Sequence, residues 1–181
     1  MTNDLTNKTV LITGATGGIG KALCNSFASA NAQVVLHYNS SKTRAESTMN
    51  SLPNNKHSIV QADLSNPEHI ERMFNEINSV DLVVNNAAVV ETHKIDSLAF
   101  EEWKNMWNRT ISTNLLGPAH IIYFASRKMI QNNGGKIINI SSRGAFRGEP
   151  NAPAYGASKA GLNSLGQSMA KALAKDKIFV Y

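Results

Sequence analysis

The sequence predicts an α/β fold in which a doubly wound parallel sheet is covered by helices on both faces. Three observations carry that reading. Short apolar runs recur along the chain, as strands buried on both faces require. Each run is followed by a stretch of helical spacing, the alternation that specifies right-handed crossovers. The 181 residues, 42% of them hydrophobic, suffice for a packed core without disulfides or metals, so a single domain over residues 1–181 is expected.

Residues 9–13 form the first apolar run and end in a glycine cluster, after which Ile19, Leu23 and Phe27 mark a helix over 19–30. Residues 33–38 read as the second strand, 42–52 as a polar helix, 58–62 as the third strand, and 67–77 as a helix with Pro67 in its first turn. A fourth buried strand covers 81–84. A long helical region over 100–131 follows, interrupted at Gly117 and Pro118, because proline removes an intrahelical donor. Gly134 and Gly135 precede a strand over 136–142, then come a helix over 153–175 and a sixth strand over 178–181 in which the chain stops.

The net charge of +5 is a mild excess that suits an anionic ligand. Its basic residues are scattered, which argues against a nucleic-acid partner. Residues 1–9 are polar and show no leader pattern, and no apolar run is long enough to span a bilayer. The single Cys24 reads as a small buried residue, which excludes a disulfide framework and fits a reducing compartment. A cytoplasmic protein without a membrane partner is expected. His37, His57, His69, His93 and His120 are dispersed, read as solvated or helix-surface residues, and predict no metal site. Trp103, Met106 and Trp107 read as a packing stripe.

Chemistry begins directly after the first strand, at Thr13-Gly14-Ala15-Thr16-Gly17-Gly18-Ile19-Gly20. Glycines there permit a tight turn and let the backbone approach a pyrophosphate at a helix N-terminus, which points to a dinucleotide. The spacing fits both Gly14, Gly18, Gly20 and Gly14, Gly17, Gly20, two subtypes that the loop alone does not separate. An acidic residue near the end of the second strand would bond the ribose 2′-hydroxyl of NAD. The segment Tyr38-Asn39-Ser40-Ser41 with Lys42 and Arg44 offers hydroxyls, an amide and two cations instead, a set that favours the 2′-phosphate of NADP while leaving NAD possible. Asp63, with Leu64 beside it, is placed to accept from an adenine amine.

The sharpest signal is Ser142 at the end of the fifth strand, followed on the next helix by Tyr155 and Lys159. The last two are i and i+4 and share a helix face. A phenol ordinarily ionises near pH 10, so a tyrosine acting as acid or base near neutrality needs a nearby positive charge. Ser142 emerges at the carboxyl edge of the sheet, where ligands of such folds bind and where its hydroxyl can polarise a carbonyl. Arg143, Phe146, Arg147 and Glu149 fall in the intervening loop, at the mouth of a substrate site or in solvent.

With these residues the chain resembles the short-chain dehydrogenases and reductases of the compact kind, a Rossmann-like family, which implies the strand order 3-2-1-4-5-6. The resemblance rests on the glycine loop, on Asn85-Asn86-Ala87-Ala88 after the fourth strand, on Asn114, and on Ser142 with Tyr155 and Lys159. The Asn85-Asn86-Ala87 pattern selects the compact kind. The resemblance implies that Asn86 ties the central strand, Ser142 orients the substrate oxygen, Tyr155 is the acid or base, Lys159 also grips the nicotinamide ribose, and Asn114 holds a water of the proton relay. It implies a small-molecule carbonyl or alcohol substrate and a homodimer or homotetramer built on helices 100–131 and 153–175. Ala88 stands where the family usually has Gly. Family members also continue through a cofactor-contacting segment, a substrate loop and a last strand, all of which would lie beyond Tyr181. The expectation is therefore an NADP(H)-preferring oxidoreductase. A cofactor-binding regulator, and a reductase of a pterin or an activated double bond, remain open.

Overall fold

Apolar pairing along six short strands organises the molecule, seen here as a computed structural model that describes residues 4–181. Residues 1–3 of the polar amino-terminal stretch lie outside the described residues. In chain order the elements are β1 (Thr9–Ile12), α1 (Gly18–Ser29), β2 (Gln33–Tyr38), α2 (Lys42–Asn50), β3 (Ser58–Gln61), α3 (Pro67–Glu76) and β4 (Leu82–Asn85). They continue with α4 (Phe100–Ile111), a π turn (Ser112–Leu116), α5 (Gly117–Gln131), β5 (Gly135–Asn139), α6 (Gly144–Arg147), α7 (Pro153–Leu173) and β6 (Ile178–Val180). The strands form one parallel sheet in the order β3-β2-β1-β4-β5-β6. The predicted fold class and strand order are those of the structure.

Side-chain alternation along each strand divides the core in two. Leu11, Val35, Val83, Ile137 and Ile178 pack with Met73 and Phe74 of α3 and with Ile121, Ile122 and Met129 of α5. Val10, Ile12, Val34, Leu36 and Val84 pack with Cys24 and Ala28 of α1. Full burial of each large apolar side chain contributes roughly 1.5–3 kcal/mol, so both faces are needed to hold the central strands. Over β4, β5 and β6 the second face is more open: Leu82, Ile138 and Ile140 are partly buried, and Phe179 is 52% exposed.

Three departures from the sequence reading bear on the site. The strand predicted over 136–142 ends at Asn139, level with the last residue of its neighbour β4, so Ser142 lies three residues beyond the ladder rather than at its end. The loop that follows holds the short helix α6. The long helix is interrupted just before Gly117 by the π turn, in which the Gly117 N–H donates to the Ser112 carbonyl. Pro118 has no N–H for the Asn114 carbonyl, its partner in α-helical spacing. Tertiary packing fixes the spot: Gly117 is buried, and a Cβ there would come 2.8 Å from the Leu64 carbonyl.

Candidate functional site

The carboxyl ends of β1, β2, β3 and β4 open into a cavity of about 510 Å³. Gly14, Thr16, Gly17, Gly18, Ile19 and Gly20 line one wall, Tyr38, Asn39, Ser40 and Ser41 a second, and Asp63, Leu64, Asn86 and Ala87 a third. Fourteen residues from four separate segments would not converge on one hollow for packing alone; the glycines say what the hollow admits. Gly14 has φ +64°, and a Cβ on it would press to 2.9 Å of the Ala87 backbone. A Cβ on Gly20 would run into the Gly14 carbonyl. Those two glycines serve the protein's own close packing. Gly18 has nothing within 4 Å, and Gly17 only the Gly14 carbonyl at 3.5 Å, so the chain leaves both bare for something outside itself. The first turn of α1 has neither a side-chain cap nor an acidic residue, and its free N–H groups and dipole suit an anion. The residues therefore fit a dinucleotide pyrophosphate.

His37 sets this loop, and sequence reasoning misplaced it. It is 2% exposed, not solvated. Its Nδ1 accepts from the Gly14 N–H at 3.1 Å, which puts the ring proton on Nε2, donated to the Ala62 carbonyl at 3.0 Å. Burial pulls the imidazole down to about 4. A lone polar residue inside the apolar run of β2 was the available signal. Asn86 closes the other side: its Nδ2 donates to the Thr13 carbonyl at 2.8 Å, and its N–H donates to Thr13 Oγ1 at 2.9 Å.

Of the two cations proposed for a 2′-phosphate, Arg44 lines the cavity, whereas Lys42 does not and pairs with Glu46 at 3.7 Å. Ser41 caps α2 by accepting from the Arg44 N–H. Asp63 accepts from the N–H and the hydroxyl of Ser65. Burial alone would raise its carboxyl, but these bonds and the charges of His69 and Arg109 hold it below its ordinary value. Arg109, which the sequence did not single out, also lines the cavity and pairs with Glu91 at 2.9 Å.

Ser142, Tyr155 and Lys159 do not line this cavity; they follow β5, which runs parallel to β4, on the same carboxyl side of the sheet. Lys159 is 2% exposed, and its Nζ donates to the Ile140 carbonyl at 2.7 Å and lies 5.8 Å from the Tyr155 ring centroid. Burial pulls the ammonium down to about 8, so its charge is held at a cost that an adjacent anion would offset. Ser142 Oγ accepts from the Gly144 N–H at 3.1 Å, leaving its own O–H to donate. Glu149 lies against Gly144, where a Cβ would meet its side chain at 2.6 Å, while Phe146 is 83% exposed. Asn114 is fully buried, with Oδ1 accepting from the Val89 N–H and Nδ2 donating to the Val89 carbonyl and to Ser158 Oγ. Its amide is spent on these partners, so any water it holds would sit on its backbone carbonyl, which Pro118 leaves without an α-helical donor.

Among the described residues no group of three or more His, Cys, Asp or Glu could hold a metal ion, and no helix is long and apolar enough to cross a membrane. A sequence model of the family described as short chain dehydrogenase matches residues 8–181. The chain is 31% identical over 180 residues to a 3-oxoacyl-[acyl-carrier-protein] reductase of Staphylococcus epidermidis, covering 96% of this chain and 72% of that one. A reductase of the same description from a Synechocystis species is 30% identical, with 97% and 72% covered. Among solved structures, a short-chain type dehydrogenase/reductase from Mycobacterium marinum superposes with a TM-score of 0.86 at 28% identity, over 98% of this chain and 73% of that one.

Proposed function

This chain belongs to the short-chain dehydrogenase family and is an oxidoreductase, and from that premise we propose that it moves hydride between NADP(H), preferred over NAD(H), and a carbonyl or alcohol carbon, with Tyr155 as acid and base. One observation carries the reading: a buried Lys159 ammonium, one helical turn from Tyr155, is bonded to the Ile140 carbonyl just past β5, on the same carboxyl edge of the sheet as the hollow whose glycines leave room for a pyrophosphate.

When bound, the nicotinamide supplies the hydride in reduction or accepts it in oxidation. The chain's own groups manage the oxygen. As a carbonyl carbon is reduced its oxygen gains negative charge, and the Tyr155 hydroxyl donates a proton to it while the Ser142 O–H donates a hydrogen bond to the same atom. Lys159 uses one donor on Ile140 and keeps two, which reach for ribose hydroxyls and favour the phenolate that remains. The Asn114 carbonyl holds the water that returns the proton. Arg44, Asn39, Ser40 and Ser41 meet the 2′-phosphate, and Asp63 meets the adenine amine. The relatives named as 3-oxoacyl reductases make a 3-oxoacyl thioester the first carbonyl to supply. A single domain carries cofactor and catalytic residues, and exposed Leu116, Tyr123 and Ile130 of the long helix support a homo-oligomer.

Tyr155→Phe keeps the ring and removes the proton donor. Its NADPH affinity, followed by fluorescence titration, stays that of the wild type, and turnover of 3-oxoacyl thioesters and a broad carbonyl panel falls about 10²–10⁴-fold. NADPH binds the wild type at least about tenfold tighter than NADH, the value of one charged contact of roughly 1.4 kcal/mol. Unchanged turnover in the variant, or a wild type that binds NADPH and turns over no carbonyl, would replace this reading with a cofactor-binding regulator.

A further inference from the structure

We propose that His93 is a positioning residue for Tyr155, acting as the N-terminal cap that fixes the helix carrying it; the proposal rests on the reading of Tyr155 as acid and base. A helix start exposes four N–H groups without intrahelical partners. In α7 Pro153 has none to offer, and the Tyr155 and Gly156 N–H groups donate to the Ala152 carbonyl at 3.0 and 3.3 Å. That leaves Ala154, which is fully buried and out of reach of water. Ala152, the residue at the cap position, has no side chain to accept from it. His93 does so from 61 residues away in the chain: its Nε2 accepts at 3.1 Å from the N–H of Ala154, the residue immediately before Tyr155.

The ring is fixed in every direction. Accepting at Nε2 requires the proton on Nδ1, which donates to the Glu91 carbonyl at 2.7 Å. The His93 N–H donates to the Asn151 carbonyl at 2.8 Å, and the imidazole meets Trp103 of α4 edge-on at 5.6 Å. His93 is 1% exposed, so this neutral, doubly bonded ring is a built part of the interior and not the surface histidine that the sequence suggested.

These bonds close a circuit around Tyr155. Asn114 grips Val89 by both its N–H and its carbonyl and donates to Ser158 Oγ; Ser158 in turn donates to the Tyr155 carbonyl at 2.8 Å. The five residues from Val89 to His93 then carry the connection back to Ala154. The backbone of Tyr155 is thereby held on one side through His93 and on the other through Ser158, and both holds end on Asn114 in the π turn. An error of about 1 Å in the placement of a reacting group costs on the order of 10²-fold in rate, so a circuit of this kind acts on kcat before it acts on binding.

The test compares His93→Asn, His93→Leu and His93→Gln in the full chain. Asn keeps a donor for Glu91 but falls short of Ala154; Leu keeps bulk and offers no acceptor; Gln carries its Oε1 about as far as Nε2. In Asn and Leu, kcat falls about tenfold or more while KM and NADPH affinity stay within about twofold, and the Tyr155 resonance of protein labelled at tyrosine Cζ moves in the cofactor complex. In Gln the rate and the resonance return to near the wild-type values. If Leu does not fold, Asn against Gln gives the same contrast. Wild-type kcat and resonance in Asn would overturn the proposal. So would losses of melting temperature, cofactor affinity and kcat in parallel that Gln does not restore, which would make His93 a stability residue alone. Tyr155→Phe separates the two readings: if it keeps full turnover the acid–base assignment fails, and the Cζ resonance still decides whether His93 places the phenol.

Discussion

His37 shows what one buried polar side chain can decide. It sits in an apolar strand, bridges the glycine loop to the end of β3, and is held neutral by burial. Its folded value, about 4, lies below the ordinary 6.5. The unfolded chain therefore binds the proton first, and the stabilisation is whole above about pH 6.5 and lost as pH falls toward about 4. At one pKa unit per 1.36 kcal/mol the loss amounts to roughly 3 kcal/mol. Denaturant unfolding of wild type and His37→Gln between neutral and acidic pH measures it: the wild type loses stability more steeply, and superimposable slopes would show that the imidazole contributes nothing. Cofactor affinity follows the same acid limb, because protonation removes the acceptor for the Gly14 N–H. The sequence offered His37 and His93 only as dispersed histidines. What each bonds to depends on partners 25 and 61 residues away.

At the scale of elements, the first turn of α1 and the π turn gain their roles from what they lack. The α1 terminus lacks a cap, and Gly18 lacks neighbours. Gly18→Ala accordingly moves stability and binding in opposite directions. Alanine gains up to about 1 kcal/mol of helix propensity, so the melting temperature stays level or rises, while the added methyl meets the incoming phosphates and NADPH affinity falls at least about tenfold. Scanning calorimetry with a cofactor titration reads both; lower stability with intact binding would mean that the glycine serves the fold. The interruption of the long helix was legible at Gly117 and Pro118. That it takes the form of a π turn holding Asn114 inward was not, because the Leu64 carbonyl that crowds Gly117 comes from the far side of the chain.

For the whole molecule, the two faces of the sheet are unequal. Helices α3, α5 and α7 complete one core, and on the outer surface of the long helix Leu116, Tyr123 and Ile130 stay 46%, 55% and 48% exposed. Apolar side chains at that exposure on one helix are what a self-complementary interface buries. Light scattering at micromolar concentration is expected to give a dimer or tetramer, and Tyr123→Glu with Ile130→Glu to lower the mass without loss of the folded signal; a monomeric wild type would remove the oligomer from the proposal.

Local signals determined a great deal here. Strand and helix order, the glycine loop after β1, the placement of Asn86, and the i, i+4 relation of Tyr155 and Lys159 are properties of neighbouring residues, and periodicity carries them. The strand order, in which β4 returns to pair with β1, came with the resemblance to the family. Only the tertiary structure decided which cation faces the cavity, Arg44 rather than Lys42, and where β5 stops, level with the end of β4. It also decided that Lys159 is buried, that Asn114 spends its amide on Val89, and that two histidines are neutral struts. Each of these turns on a hydrogen-bond partner or a loss of water supplied by a distant segment, and a buried polar group takes its state from that partner.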